Sequence, residues 1–88
     1  MHLIKAMFNI TQKDIDEGIP KHFNKCPVGL SITRKLNKQN LYNRILVFEK
    51  FIYLDDEKYD LPDNVVHFID RFDKDLKVYP EEFELWIY

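Results

Sequence analysis

A single cysteine stands in the whole chain, so no disulfide can close within it, and packing alone has to hold the fold, as suits a reducing compartment. Glycine occurs twice and proline four times, which excludes a Gly- or Pro-rich linker and a disordered tail. No apolar run approaches the roughly 20 residues that a membrane-spanning helix needs, so no membrane association is expected. The opening MHLIKAMFNITQ has neither the long apolar centre nor the small-residue cleavage site of a secretory signal, and a cytoplasmic location is expected. There is no composite catalytic motif and no cofactor motif, so a non-enzymatic chain without a cofactor is expected.

What is present is the material of a core. Of 88 residues, 45% are hydrophobic and 15% aromatic. A chain this size buries only about 60–65% of its unfolded surface, which leaves room for one domain over residues 1–88. Charge is unevenly placed. Residues 1–50 hold nine Lys/Arg and four Asp/Glu, a net +5, whereas residues 51–88 hold four and eleven, a net −7. Either the halves attract as the sheet closes, or they form a bipolar surface that docks on a charged partner.

Periodicity sets the expected elements. HLIKAMFNI alternates with Ile4, Ala6, Phe8 and Ile10 on one face, the period of a strand. Thr11 and Asp14 form a capping box, Ile10 and Ile15 a hydrophobic staple, and Gly18 offers a left-handed residue to end a short helix over Gln12 to Glu17. Pro27 opens a second helix whose stripe is Val28, Ile32 and Leu36, with Gly29 and Ser31 small enough for close approach. Ile45 to Phe48 and Phe51 to Leu54 read as strands joined near Glu49 and Lys50, and Tyr59 with Leu61 could add a brief third strand. LPDNVVHFIDRFDKDL carries Val65, Phe68, Ile69, Phe72 and Leu76 at helical spacing, and FELWIY ends the chain as a strand. The order β-α-α-β-β-α-β, with a small and mostly antiparallel sheet covered by helices on one face, is a two-layer α+β domain.

The stretches ITQKDIDEGI, CPVGLSI, LPDNVVHFIDRFD and YPEEFEL together resemble the ordered landmarks of a family of small uncharacterised proteins carried by bacteriophages and bacterial genomes. The resemblance implies a phage or mobile-element origin, hence the host cytoplasm as the site of action, and the same α+β layout. It implies no reaction.

Cys26 precedes Pro27 at a helix start, where free N–H groups and the helix dipole favour a thiolate, and His22 is close enough in sequence to serve as its base. Nothing Gly-rich nearby offers an oxyanion hole, so a packed, inert thiol is expected and a Cys-based enzyme is the second alternative. A zinc site from Cys26, His22, His2 and His67 lacks paired ligand spacing, and a histidine at the core boundary is expected at His67. DDEKYD lacks the central Gly and closing Glu of a calcium loop, and Glu81, Glu82 and Glu84 have no inferred partner. Lys21, Lys25, Arg34, Lys35 and Lys38 cluster around the second helix and could neutralise phosphates, with Tyr42, Phe51 and Tyr53 as stacking or core rings.

The expected function is therefore a small phage-type accessory protein that binds a host or phage protein, plausibly inhibiting a host enzyme or defence complex. Its candidate contact residues are Lys21, Lys25, Arg34, Lys35, Lys38, Trp86 and Tyr88. Nucleic-acid binding through the basic face of the second helix is the first alternative, and a homodimer is as expected as a monomer because the faces bearing Leu3, Met7 and Trp86 are only partly polar.

Overall fold

The computed structural model describes residues 3–37 and 42–87. Eight elements follow in the order β1 (Ile4–Ile10), α1 (Gln12–Glu17), α2 (Pro27–Asn37), β2 (Ile45–Val47), β3 (Phe51–Leu54), β4 (Glu57–Asp60), α3 (Asp63–Asp73) and β5 (Glu81–Ile87). This is the expected α+β order with the brief extra strand present as β4. The strands divide between two antiparallel sheets: β1 pairs with β5, and β2, β3 and β4 form a meander. The first and last strands of the chain are thus neighbours, with Phe8 opposite Phe83 and their rings stacked at 5.2 Å.

Local chemistry explains most boundaries. At α1 the Asp14 amide donates to Thr11 Oγ1 at 3.2 Å and the Thr11 amide donates to Asp14 Oδ2 at 2.9 Å, a complete capping box. Gly18 ends this helix, but not by a left-handed turn: its φ is −68° and its ψ 148°. The reason for glycine is space, since a Cβ there would stand 2.5 Å from Pro27 Cδ and 2.7 Å from the Asp14 carbonyl oxygen. The expected stripe of α2 is buried, with Val28, Ile32 and Leu36 all in the core. Gly29 lets the helix lie against the Asn24 backbone, whose carbonyl oxygen would be 2.6 Å from a Cβ.

On α3, Val65, Phe68 and Ile69 are buried and Phe72 packs at the margin of the core. Leu76 departs from the expected stripe. The helix stops at Asp73 because Asp75 adopts φ 60°, the Asp75 amide donates to the Phe72 carbonyl at 3.1 Å and the Leu76 amide to the Arg71 carbonyl at 2.9 Å. These two bonds make a Schellman ending, which swings Leu76 out of the helical phase and leaves it exposed. In the meander, the Phe48 amide donates to the Phe51 carbonyl at 2.8 Å to close the Glu49–Lys50 turn. At the next turn Asp55 takes φ 55°, and its carboxylate accepts the amides of Asn43 at 3.0 Å and Arg44 at 2.9 Å. The acidic DDEKYD stretch is therefore a turn and a strand. Inward residues of both sheets, among them Phe8, Ile10, Ile52, Leu54, Phe83 and Leu85, meet the helical stripes in one core.

A candidate partner-binding groove

Residues 19–25 connect α1 to α2 and are pinned at three points. The Ile19 amide donates to the Lys25 carbonyl at 2.8 Å, closing the connector on itself. The Lys21 amide donates to Asp73 Oδ1 at 2.9 Å, with Lys21 at φ 60°, so the end of α3 holds the middle of the connector. The Val47 amide donates to the Phe23 carbonyl at 2.6 Å, which seals the free edge of β2. Between this connector, the Glu49–Lys50 turn and α3 lie two adjoining hollows of about 400 and about 460 Å³. They share Lys21, Glu49, Ile69 and Asp73, and form one groove.

Cys26 lies in the wall of the smaller hollow and is only 5% exposed. Its Sγ accepts the Gly29 amide at 3.4 Å, the place an N-cap oxygen would take. Burial pushes the thiol pKa up and outweighs the lowering by the backbone amides of Gly29 and Val28, with the charge of Asp73 adding a lesser push upward. A thiol so placed stays protonated at neutral pH. His22 lines the same hollow, but its Nδ1 accepts the amides of Asn24 at 3.3 Å and Lys25 at 3.1 Å. A neutral imidazole with Nδ1 so engaged carries its proton on Nε2 and has no lone pair left for a thiol. Both residues line one hollow, and each is engaged by backbone amides of its own segment.

His67 is exposed and lines the larger hollow. Among the described residues no group of three or more His, Cys, Asp or Glu side chains is placed to hold a metal ion, and His2 lies outside them. No helix of the described residues is long and apolar enough to cross a membrane.

The expected contact residues are dispersed. Lys21 lines the groove, and Lys25 lies beside a separate hollow with Asn24 and Tyr42. Arg34 stays partly exposed but is engaged within the chain: its guanidinium donates to Asp14 Oδ1 at 2.6 Å and Oδ2 at 3.0 Å, and to the Asn9 carbonyl at 2.8 Å. Lys35 donates to the Met7 carbonyl and lies 5.3 Å from the centre of the Phe8 ring. Trp86 is exposed on the outer face of β5, opposite Lys5 of β1. Lys38 and Tyr88 lie outside the described residues. Tyr42 packs against the core, whereas Phe51 and Tyr53 stand on the outer face of β3.

Sequence reasoning passed over Phe23 and Phe48, both exposed at the mouth of the smaller hollow. Phe48 was legible in principle, because inward Ile45 and Val47 put the ring on the outward side of the strand. Phe23 sits in an irregular connector that has no period to read.

Comparison with known proteins adds no constraint: no protein-family model, no curated protein and no solved structure matches this chain.

Proposed function

We propose that this chain is a non-catalytic protein-binding accessory factor of phage type, and that its partner docks on the groove between the connector, the hairpin turn and α3. One observation carries the reading. Phe23 and Phe48, 48% and 41% exposed, stand at the mouth of a hollow whose apolar lining includes Val47, Ile69 and Cys26. Large rings beside an apolar depression are the side chains on which protein interfaces concentrate their binding energy. Both rings are already ordered. Phe23 stacks on His22 at 4.8 Å and Phe48 packs at a tilt against Phe51 at 5.2 Å, so little freedom is lost when a partner covers them. Lys21, Lys50 and Glu49 on the same groove carry both signs of charge, which suits orientation of a protein surface. The resemblance to phage proteins supports an inhibitor of a host enzyme or defence complex, acting in the host cytoplasm.

The test is capture from host lysate with three immobilised forms. A partner held by the wild type and by Trp86→Ala but lost from Phe23→Ala/Phe48→Ala supports the groove. A partner retained by the double variant refutes it, and rapid labelling of Cys26 without any captured partner favours the enzymatic alternative.

A specific feature favours nucleic acid as a second reading. Phe48, Phe51 and Tyr53 form a ring cluster on the outer side of the meander, with centroids 5.2–5.9 Å apart, and Lys58 Nζ lies 4.5 Å from the Phe51 ring centre. Rings beside a movable cation suit base stacking on a single strand, and this surface replaces the basic face of α2, where Arg34 and Lys35 are engaged internally. A mobility shift that fails to appear at low ionic strength disposes of it.

A further inference from the structure

The turn over residues 22–25 is held by a side chain. His22 Nδ1 accepts the Asn24 amide at 3.3 Å and the Lys25 amide at 3.1 Å, so two backbone donors share one lone pair of the ring. That lone pair exists only in the neutral imidazole, because the protonated ring carries N–H on both nitrogens. A cationic His22 in the same place would aim a donor at two donors. The rest of the turn is tied elsewhere. The Phe23 carbonyl accepts the Val47 amide at 2.6 Å, the Lys25 carbonyl accepts the Ile19 amide at 2.8 Å, and the Asn24 backbone lies close against Gly29 of α2. The His22 ring is also the surface on which the exposed Phe23 ring stacks.

We propose that His22 is a proton-operated switch of the groove: the neutral ring holds the connector turn and supports Phe23 at the rim, and the protonated ring leaves the two amides and turns into the hollow. The effect on docking rests on the groove proposed above, whereas the switch itself does not. The ring is the part that moves, since the backbone beside it is fastened to β2, to Ile19 and against α2.

The groups around the ring favour that movement. Its own connector brings Lys21 and Lys25, α2 brings Cys26 with its protonated thiol, the β2–β3 turn brings Glu49 and the end of α3 brings Asp73. Lys25 lines a different hollow, so the hollow that His22 lines sets the one ammonium of Lys21 against the two carboxylates of Glu49 and Asp73. Lys50 and His67 line only the adjoining hollow, where Asp70 and Lys74 neutralise each other at 3.1 Å. An imidazolium is therefore repelled by the amides it faces and attracted by the carboxylates of its own hollow. The turn also keeps an acceptor in reserve, because Asn24 Oδ1 is buried without a hydrogen-bond partner. Once protonated, His22 no longer supports Phe23 and occupies the hollow beside it. Affinity for a partner seated there falls as pH drops through the histidine range and is complete above it.

The switch is read without a partner, by NMR on the full chain from about pH 8 to about pH 5, the span in which histidine changes charge. In the wild type the Asn24 and Lys25 amide resonances are expected to move together with the His22 ring, and ring spectra at about pH 8 to show the proton on Nε2. His22→Asn places an amide oxygen that does not titrate where Nδ1 stood, so both amides are expected to stay fixed across the range. His67→Asn is expected to behave like the wild type. The proposal is overturned if the neutral His22 ring carries its proton on Nδ1, if the two wild-type amides stay still while the ring titrates, or if they move as far in His22→Asn. The first two results need no variant, so they decide the matter even where His22→Asn disturbs the fold. A groove without a partner leaves these spectra unchanged, and a switch that fails leaves capture at neutral pH unchanged.

Discussion

Arg34 grips Asp14 with two nitrogens, at 2.6 Å to Oδ1 and 3.0 Å to Oδ2, and in doing so ties α2 to the first turn of α1. Asp14 is 3% exposed and also closes the capping box with Thr11, so one carboxylate serves a helix cap and a tertiary contact at once. Burial by itself would raise its pKa, but the bonds from Arg34 and Thr11 outweigh burial and leave it below the ordinary carboxylate value, while the Arg34 pKa is raised.

Removing the guanidinium strands a buried carboxylate. Arg34→Met is expected to lower stability by about 2 kcal/mol at neutral pH, less than the roughly 3–5 kcal/mol of a fully buried pair because Arg34 is partly solvated. The Asp14 pKa is depressed on folding, so the stabilisation is complete above the ordinary carboxylate range and is lost as pH falls through the depressed value. Urea titrations of both proteins at several pH values should show the gap closing in acid. A gap that persists once Asp14 is protonated would mean that Arg34 acts through packing instead.

Gly18 offers a test of space against conformation. Its backbone angles suit any residue, so Gly18→Ala would be harmless if dihedral freedom were the only concern. Because the new methyl meets Pro27 and the Asp14 carbonyl, the substitution is expected to destabilise by about 1–3 kcal/mol, read as a lower denaturation midpoint.

The Cys26 thiol should behave as a buried group. Labelling by a thiol reagent at neutral pH is expected to be slow in the native protein and to accelerate manyfold in urea, with a thiolate titration above the ordinary thiol value. Fast native labelling would reopen the nucleophilic reading.

Trp86 is the only tryptophan, and it reports on the ribbon face. Its emission is expected to be red-shifted and open to acrylamide quenching in the monomer, and Trp86→Ala should change stability by no more than about 0.5 kcal/mol.

Much of this fold was legible along the chain because its signals are local. The Thr11–Asp14 capping box, Pro27 at the head of α2, the Val28, Ile32 and Leu36 stripe and the alternation of Phe83, Leu85 and Ile87 each depend on residues within a few positions of one another. Leu76 misled because five apolar residues at helical spacing say nothing about the left-handed Asp75 that ends α3 early. The groove was less legible. Its rim draws on an irregular connector, a hairpin turn and a helix end, which no single period links.

By itself the sequence determined the element order, the helix starts and the alternation of the first and last strands, since these follow from side-chain spacing and capping chemistry within a few residues. Only the tertiary structure decided that the terminal strands pair with each other, that Gly18 is small for Pro27, and that Arg34 and Lys35 serve Asp14 and the β1 edge. A cation has the same formal charge on a free face as in an internal bond, and which of these it joins depends on what distant segments bring within reach.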